Sequence, residues 1–237
     1  MELCAHRGLS GQAPENSLSA FILAAEAGLP WVELDVQLSA DGVPMVIHDE
    51  SVDRCSDGHG RVRDLSLAQI QALDGGSWFD PTYAGEAIPT LADVLALCLR
   101  YPLKVNVELK AYEVADLPAL CEAVAQVIEH LALPADSLLF SSFDTQALAL
   151  MQRRLPQVRR GQLWQRIPAD PLPTLAALAA WSVHCDYRHL TAHQAQRIKQ
   201  AGYRLHCYTP NDPAWLVQAT AWGVDMLISD HPARFAG

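Results

Sequence analysis

Apolar residues along the chain follow two alternating patterns. Short apolar stretches are separated by longer stretches in which apolar residues recur at helical spacing, and this alternation predicts strands joined by helices. The predicted strands cover residues 3–6, 31–38, 104–110, 138–143, 161–164, 183–187, 204–209 and 225–229. Every strand but the last precedes a helical pattern, and the first helix is predicted to have Asn16 as its N-cap and to stop at Gly28. Eight such repeats predict an α/β protein, a (β/α)₈ TIM barrel.

A second apolar stretch, 43–48, follows the strand at 31–38 after the dipeptide Asp41-Gly42. Asp-Gly between apolar stretches is a strong hairpin signal. A two-residue loop at this dipeptide would place His48 directly opposite Asp35. A parallel arrangement would need a crossover of about a dozen residues, for which the spacing leaves no room.

Residues from about 51 to 89 lose the strand and helix rhythm and are interpreted as a small insertion after the second strand. The whole chain, 1–237, is predicted to be a single barrel domain that carries this insertion. Long excursions from a compact domain are usually functional loops. Trp78 is therefore a candidate for covering a ligand, and the alternative is that it only anchors the insertion to the barrel.

Ionisable residues are concentrated on the apolar strands. Alternation along 31–38 places Glu33 and Asp35 on one face, and Glu108 and Lys110 share a face of the strand at 104–110. His6 stands at the end of the first strand. Because functional residues of a TIM barrel lie at the carboxyl ends of the strands, these side chains are predicted to form one site.

Three converging carboxylates would repel one another and raise their pKa values unless a cation neutralised them. Oxygen ligation favours Mg²⁺, Ca²⁺ or Mn²⁺, with the choice among the three left open. The alternative is structural pairing of these acids with Arg7 and Lys110.

The two histidines, His6 and His48, are candidate proton carriers, because imidazole titrates near the working pH. Arg7 and Lys110 supply positive charge suited to a phosphate oxygen. A cation, two proton carriers and a phosphate clamp predict phosphoryl transfer or phosphodiester cleavage.

Composition limits the partners and the compartment. The net charge of -10 argues against nucleic acid and against stable membrane association. Arginines 153, 154, 159 and 160 form the one basic cluster, which is expected to be solvated. Six scattered cysteines without a CxxC pair are interpreted as reduced core residues, and with no recognisable signal peptide a cytoplasmic location is expected. An oligomer is compatible with the sequence.

The chain resembles the glycerophosphodiester phosphodiesterase family, in its small cytosolic bacterial form. The motifs that carry the resemblance span the chain: His6-Arg7-Gly8, Pro14-Glu15-Asn16-Ser17, Glu33-Leu34-Asp35-Val36, Asp41-Gly42, Ile47-His48-Asp49, Glu108-Leu109-Lys110, Ser142-Phe143, Tyr208-Thr209 with Asn211, Gly223-Val224-Asp225 and Ser229-Asp230. Each is weak alone, but their order and spacing are specific. The departures are Ser17 and Ser229, where threonine is common, and Pro210, which affects the loop from 208 to 211.

The resemblance implies hydrolysis of glycerophosphodiesters to sn-glycerol 3-phosphate and an alcohol. It assigns roles to particular residues: a divalent cation at Glu33, Asp35 and Glu108, acid and base catalysis to His6 and His48, phosphate contacts to Arg7 and Lys110, and a place near the site to Glu15. We further expect Phe143, Tyr208 and Trp78 to form the substrate wall.

Several alternatives stay open at this point. They include a lysophospholipase D acting on a longer lipid, a non-catalytic barrel that binds glycerophosphate, and a metal-dependent aldolase or isomerase. The roles of the two histidines, the preferred alcohol and the attacking oxygen, from water or from the substrate's own glycerol, are likewise open.

Overall fold

The computed structural model describes residues 1–235. Its nine strands are β1 (Glu2–Ala5), β2 (Trp31–Leu38), β3 (Pro44–Val46), β4 (Lys104–Leu109), β5 (Leu138–Ser142), β6 (Arg159–Trp164), β7 (Ser182–Asp186), β8 (Arg204–Tyr208) and β9 (Met226–Ser229). Its α-helices are α1 (Leu18–Glu26), α2 (Leu67–Gln71), α3 (Leu91–Cys98), α4 (Leu117–His130), α5 (Thr145–Arg154), α6 (Leu172–Ala177), α7 (Ala192–Gln200) and α8 (Leu216–Ala221).

Eight parallel strands close into a barrel. The hydrogen-bonded order is β1-β9-β8-β7-β6-β5-β4-β2, and β1 also pairs with β2, which completes the ring. The ninth strand, β3, pairs antiparallel with β2 outside the ring. The predicted TIM barrel is confirmed. Closure brings the carboxyl ends of all eight strands to one rim, where the site residues lie.

The hairpin of β2 and β3 exists, but its predicted register is wrong by one residue. Val36 pairs with Val46, and the backbone N–H of Ile47 donates to the carbonyl of Asp35. Ile47 therefore stands opposite Asp35, and His48 follows one residue later. The loop is longer than two residues because the Ser39 hydroxyl accepts from the Val43 N–H and donates to Asp41.

The predicted N-cap of α1 is also corrected. Ser17 caps this helix by accepting a hydrogen bond from the Ala20 N–H. Asn16 adopts a left-handed conformation with a φ of 59°. Its side chain turns into the barrel and donates to Asp35, so a residue predicted to cap a helix supports the site instead.

Helix lengths differ from the prediction at the end of the chain. The helices α6 and α8 have only six residues each. Neither contains a charged side chain, and each buries only one residue, Leu175 and Ala219 respectively. The last strand is followed by a 3₁₀ helix, Pro232–Phe235.

The main core lies between the outer face of the strands and the helices. Val32, Leu34 and Val36 of β2 are fully buried there, so their neighbours Glu33 and Asp35 point into the barrel. A smaller cluster underlies the insertion and contains Met45, Ile47, Val52, Val62, Ile70 and Ile88. The insertion therefore has its own packing, which holds it against β3.

The six cysteines are buried and free, as expected of core residues. One member of the basic cluster departs from expectation. Arg160 is 6% exposed, and its guanidinium donates to the carbonyls of Val158 and Leu178. Within residues 1–235, no helix is long and apolar enough to cross a membrane.

Candidate active site

Three buried carboxylates meet inside the rim of the barrel. Glu33 and Asp35 come from β2, and Glu108 comes from β4, where it pairs in register with Asp35. One oxygen from each lies within 4.8 Å of the others. Strand alternation and parallel register together produce this cluster, because neighbouring strands place paired residues on the same face.

Two of the carboxylates are held by cations. Lys110 Nζ lies 3.3 Å from Oδ1 of Asp35 and 2.6 Å from Oε1 of Glu108, and Arg7 Nε lies 3.1 Å from Oδ2 of Asp35. Asn16 Nδ2 donates to Asp35 over 2.9 Å. Structural pairing with Arg7 and Lys110 is thus part of this site, but it does not account for Glu33.

Glu33 has a different environment. The backbone N–H of Arg7 donates to its Oε2 over 3.0 Å. Its Oε1 is buried and has no hydrogen-bond partner among the residues that the structure describes. This orphaned oxygen belongs to a carboxyl group clustered with two others, an arrangement that fits a divalent cation with oxygen ligands.

The pKa values separate Asp35 from the other two acids. Burial and the charge of Asp35 raise the pKa of Glu108, although Lys110 acts against them. Burial, with the charges of Asp35 and Glu108, raises the pKa of Glu33 well above its usual range. Burial also acts to raise the pKa of Asp35, but Lys110 and Arg7 outweigh it and hold that pKa below the usual range. Burial and mutual repulsion therefore disfavour the ionised forms of Glu33 and Glu108, and Glu33 has no Lys or Arg side chain in hydrogen-bond contact to offset them.

Each candidate proton carrier is held by its own carboxylate. His6 Nδ1 lies 2.7 Å from Oδ1 of Asp230, and His48 Nδ1 lies 2.7 Å from Oδ1 of Asp49. His48 and Asp49 are adjacent in sequence. His6 follows β1, whereas its partner Asp230 follows β9 at the other end of the chain. In both cases Nε2 is the ring nitrogen left for other partners, and His6 Nε2 lies 4.0 Å from Glu33 Oε2. Burial, with a smaller effect of Lys110, lowers the pKa of His48 against the opposing charge of Asp35.

A charged network ties the insertion to this rim. Arg54 Nε donates to Asp49 over 2.6 Å, and its terminal nitrogens donate to Glu15 over 2.8 Å. Glu15 accepts from Arg7 as well, over 2.7 Å. Glu15 therefore lies beside the site through Arg7 and Arg54. The hydroxyl of Tyr112 donates to the carbonyl of His48.

A cavity of about 160 Å³ opens between these groups. It is lined by His6, Arg7, Glu33, His48, Asn106, Glu108, Lys110, Phe143, Leu163, His184, Tyr208, Thr209 and Ile228. Phe143 and Tyr208 meet edge to face with ring centroids 6.2 Å apart. The structure thus brings both of these aromatic residues to the cavity, together with the charged residues.

Trp78 does not line this cavity. Its indole N–H donates to the carbonyl of Gly75 over 2.8 Å, and its ring packs edge to face on Phe79. Both contacts lie within the insertion. A role for Trp78 at the substrate stays a prediction.

Sequence reasoning missed the supporting partners of the site. Asp49, Asn16 and Asp230 stand in the motifs given above, but Asp49 and Asp230 had no predicted role and Asn16 was predicted only to cap α1. For the two acids the available signal was their position: Asp49 directly follows His48, and Asp230 directly follows β9. Asn106 and His184 of the cavity carried no motif signal.

Comparison with known proteins identifies the family. The model of the glycerophosphoryl diester phosphodiesterase family matches residues 6–234. A glycerophosphodiester phosphodiesterase of Caldanaerobacter subterraneus is 35% identical, with 96% of this chain and 93% of the relative covered. A glycerophosphodiester phosphodiesterase of Bacillus subtilis is 30% identical over 98% of this chain and 84% of its own.

Solved structures of phosphodiesterases are similar to this chain over its whole length. A phosphodiesterase of Oleispira antarctica, in complex with the product sn-glycerol-3-phosphate, has 34% identity and a TM-score of 0.95, covering 100% of this chain and 97% of that one. A glycerophosphodiester phosphodiesterase of Agrobacterium tumefaciens has 30% identity and a TM-score of 0.83, covering 100% and 99%. The predicted enzyme class is confirmed: the chain belongs to the glycerophosphoryl diester phosphodiesterase family.

Proposed function

We propose that this chain hydrolyses glycerophosphodiesters to sn-glycerol 3-phosphate and an alcohol. The observation that carries the proposal is the arrangement of two histidines, each held by a carboxylate, around one cavity. Two members of the acidic triad and two cationic residues line the same cavity. The bound sn-glycerol-3-phosphate of the Oleispira antarctica structure is consistent with this assignment.

Glu33, Asp35 and Glu108 would hold the divalent cation, Mg²⁺, Ca²⁺ or Mn²⁺. When bound there, the ion would supply Lewis-acid stabilisation of negative charge that develops on the phosphoryl oxygens. Lys110 and Arg7 already contact this cluster. They would also contact the phosphate, because both residues line the same cavity.

His6 and His48 would divide the proton transfers. One imidazole takes the proton from the attacking oxygen, and the other gives a proton to the departing alcohol. Asp230 and Asp49 accept from Nδ1 of the two rings and so keep each Nε2 directed to the reacting atoms. Each proton transfer contributes roughly 10²- to 10⁴-fold to the rate. Much of the remaining rate acceleration must come from the cations of the site, which stabilise the charge that develops in the transition state.

Phe143 and Tyr208 would form an apolar wall beside the phosphate. Phe143 is 49% exposed, so it stands at the open end of the cavity, where the alcohol leaves. The cytoplasmic location and the expected lack of nucleic-acid and membrane partners stay predictions of the sequence.

The test is release of sn-glycerol 3-phosphate from glycerophosphocholine and glycerophosphoethanolamine. We expect release that EDTA stops and that Mg²⁺, Ca²⁺ or Mn²⁺ restores. His48→Ala should abolish it. His193→Ala, which changes an exposed histidine of α7, is the matched control and should retain wild-type activity. A folded wild-type protein that releases no product with any of the three ions would refute the proposal.

A further inference from the structure

Below the charged rim, the cavity has a floor of neutral polar side chains. Asn106 stands two residues before Glu108 on β4, and His184 stands two residues before Asp186 on β7. By strand alternation both point into the barrel, one layer below the strand ends. They are 1% and 0% exposed, and both line the cavity. We call Asn106 and His184 the polar floor.

Each residue of the polar floor has a polar atom without a partner. Oδ1 of Asn106 and Nδ1 of His184 are buried, and neither has a hydrogen-bond partner within residues 1–235. Buried polar atoms of proteins are almost always paired, so such atoms beside a cavity indicate a ligand or an ordered water. Burial lowers the pKa of His184 to about 3, which keeps its ring neutral.

The barrel is shaped to hold His184 in this position. A Cβ atom at Gly161 of β6 would lie 2.4 Å from Nε2 of His184 and 2.6 Å from Oγ of Ser182. Oγ of Ser182 lies 2.9 Å from Nε2 of His184. The ring of His206 packs beside the ring of His184, with the two centroids 4.6 Å apart. Since Nε2 is already bonded, Nδ1 is the nitrogen available to a ligand.

We propose that the polar floor binds a hydroxyl group of the glycerol half of the substrate, an assignment that rests on the proposed function. A hydroxyl both donates and accepts, which matches an amide and a neutral imidazole. A phosphate would instead bind Arg7 and Lys110 at the rim. The glycerol half is common to all glycerophosphodiesters, so the enclosed end of the cavity suits it, and the open end beside Phe143 leaves room for alcohols of different size.

The test compares two ligands that share a phosphate and differ in their hydroxyls. Dissociation constants of sn-glycerol 3-phosphate and propyl phosphate are measured calorimetrically at one saturating Mg²⁺ concentration. We expect wild-type protein to favour sn-glycerol 3-phosphate by at least about ten-fold. Asn106→Leu and His184→Leu should each reduce this ratio by roughly ten-fold. His193→Leu, the same substitution at an exposed histidine outside the cavity, is the matched control and should leave the ratio unchanged.

A folded floor variant that keeps the wild-type ratio overturns the proposal, with folding checked by circular dichroism and thermal unfolding. Should neither variant fold, wild-type protein with ¹⁵N-labelled histidine provides the second test. The Nδ1 resonance of His184 must then shift with sn-glycerol 3-phosphate and not with propyl phosphate, and equal responses refute the assignment. Selective binding without hydrolysis would refute only the proposed function, and hydrolysis with an unchanged ratio would refute only the polar floor.

Discussion

The Nδ1 atom of His6 lies 2.7 Å from Oδ1 of Asp230, although 224 positions separate the two residues along the chain. The contact exists because β1 and β9 pair where the barrel closes. Ser10 and Asn211 also donate to Asp230, so its carboxylate has a fixed orientation. Burial opposes ionisation of Asp230, but the hydrogen bond and charge of His6 hold its pKa below the usual range.

Asp230→Asn should reduce kcat by about 10²- to 10⁴-fold, because an amide in place of the carboxylate favours the wrong tautomer of His6. Thermal stability should change little by comparison. The measurement is the steady-state rate of sn-glycerol 3-phosphate release. Asp136→Asn, at an exposed position in the 3₁₀ helix before β5, is the matched control and should behave as wild type. Wild-type kcat in Asp230→Asn would show that His6 needs no partner.

Divalent ions should stabilise the fold itself. An ion at Glu33, Asp35 and Glu108 removes their mutual repulsion, and saturation at 100 times its Kd corresponds to about 2.7 kcal/mol of stabilisation. For a chain of this size we expect Tm to rise by roughly 5–10 °C. The measurement is thermal unfolding with EDTA and with each ion.

Glu33→Gln tests the same cation site by removing one of its three carboxylates. It removes a buried charge that lacks a side-chain cation partner, so it should raise the Tm of the metal-free protein and suppress the ion-induced shift. A variant that keeps the full shift would place the ion elsewhere.

Gly161→Ala should destabilise the protein by about 1–3 kcal/mol, because its new Cβ atom overlaps His184 and Ser182. Urea unfolding measures the change. The double variant Gly161→Ala with His184→Ala is the control, because removal of the imidazole relieves the overlap. Its destabilisation should be smaller than the sum of the two single changes. Strict additivity would contradict the close packing of this pair.

Acid should weaken the fold through the two buried histidines of the barrel interior. Burial lowers the pKa of His184 to about 3, and burial and the neighbouring His184 lower that of His206 well below its usual range. Below about pH 6.5 these two histidines are protonated in the unfolded chain but stay neutral in the folded chain. The free energy of unfolding therefore falls by about 1.4 kcal/mol per pH unit for each histidine. For His184 this loss continues down to about pH 3.

The measurement is urea unfolding at pH 7 and pH 5. His206→Phe should lose roughly 2 kcal/mol less than wild type between these values, since one of the two histidines no longer contributes. His193→Gln changes an exposed histidine and should lose as much as wild type. Equal losses in all three proteins would show that His206 is protonated in the folded state.

Much of the fold was readable from local periodicity. The strand β2 was predicted with its exact bounds, and the other barrel strands differ from prediction by one or two residues at their ends. Alternation within β2 also put Glu33 and Asp35 on one face. These features depend on neighbours in sequence, where the strand period of two residues decides which side chains are buried.

Contacts between distant segments were decided only by the tertiary structure. Closure of the barrel places Asp230 beside His6. The conformation of the β2–β3 loop sets a hairpin register that differs by one residue from the predicted one, in which His48 stood opposite Asp35. Asn16 binds Asp35 instead of capping α1, and Gly161 leaves the space that His184 occupies. The sequence alone predicted which residues would carry the chemistry, because residue type and strand period are local. Their partners depend on strand register and on how the ring closes, and both follow from packing of the whole barrel.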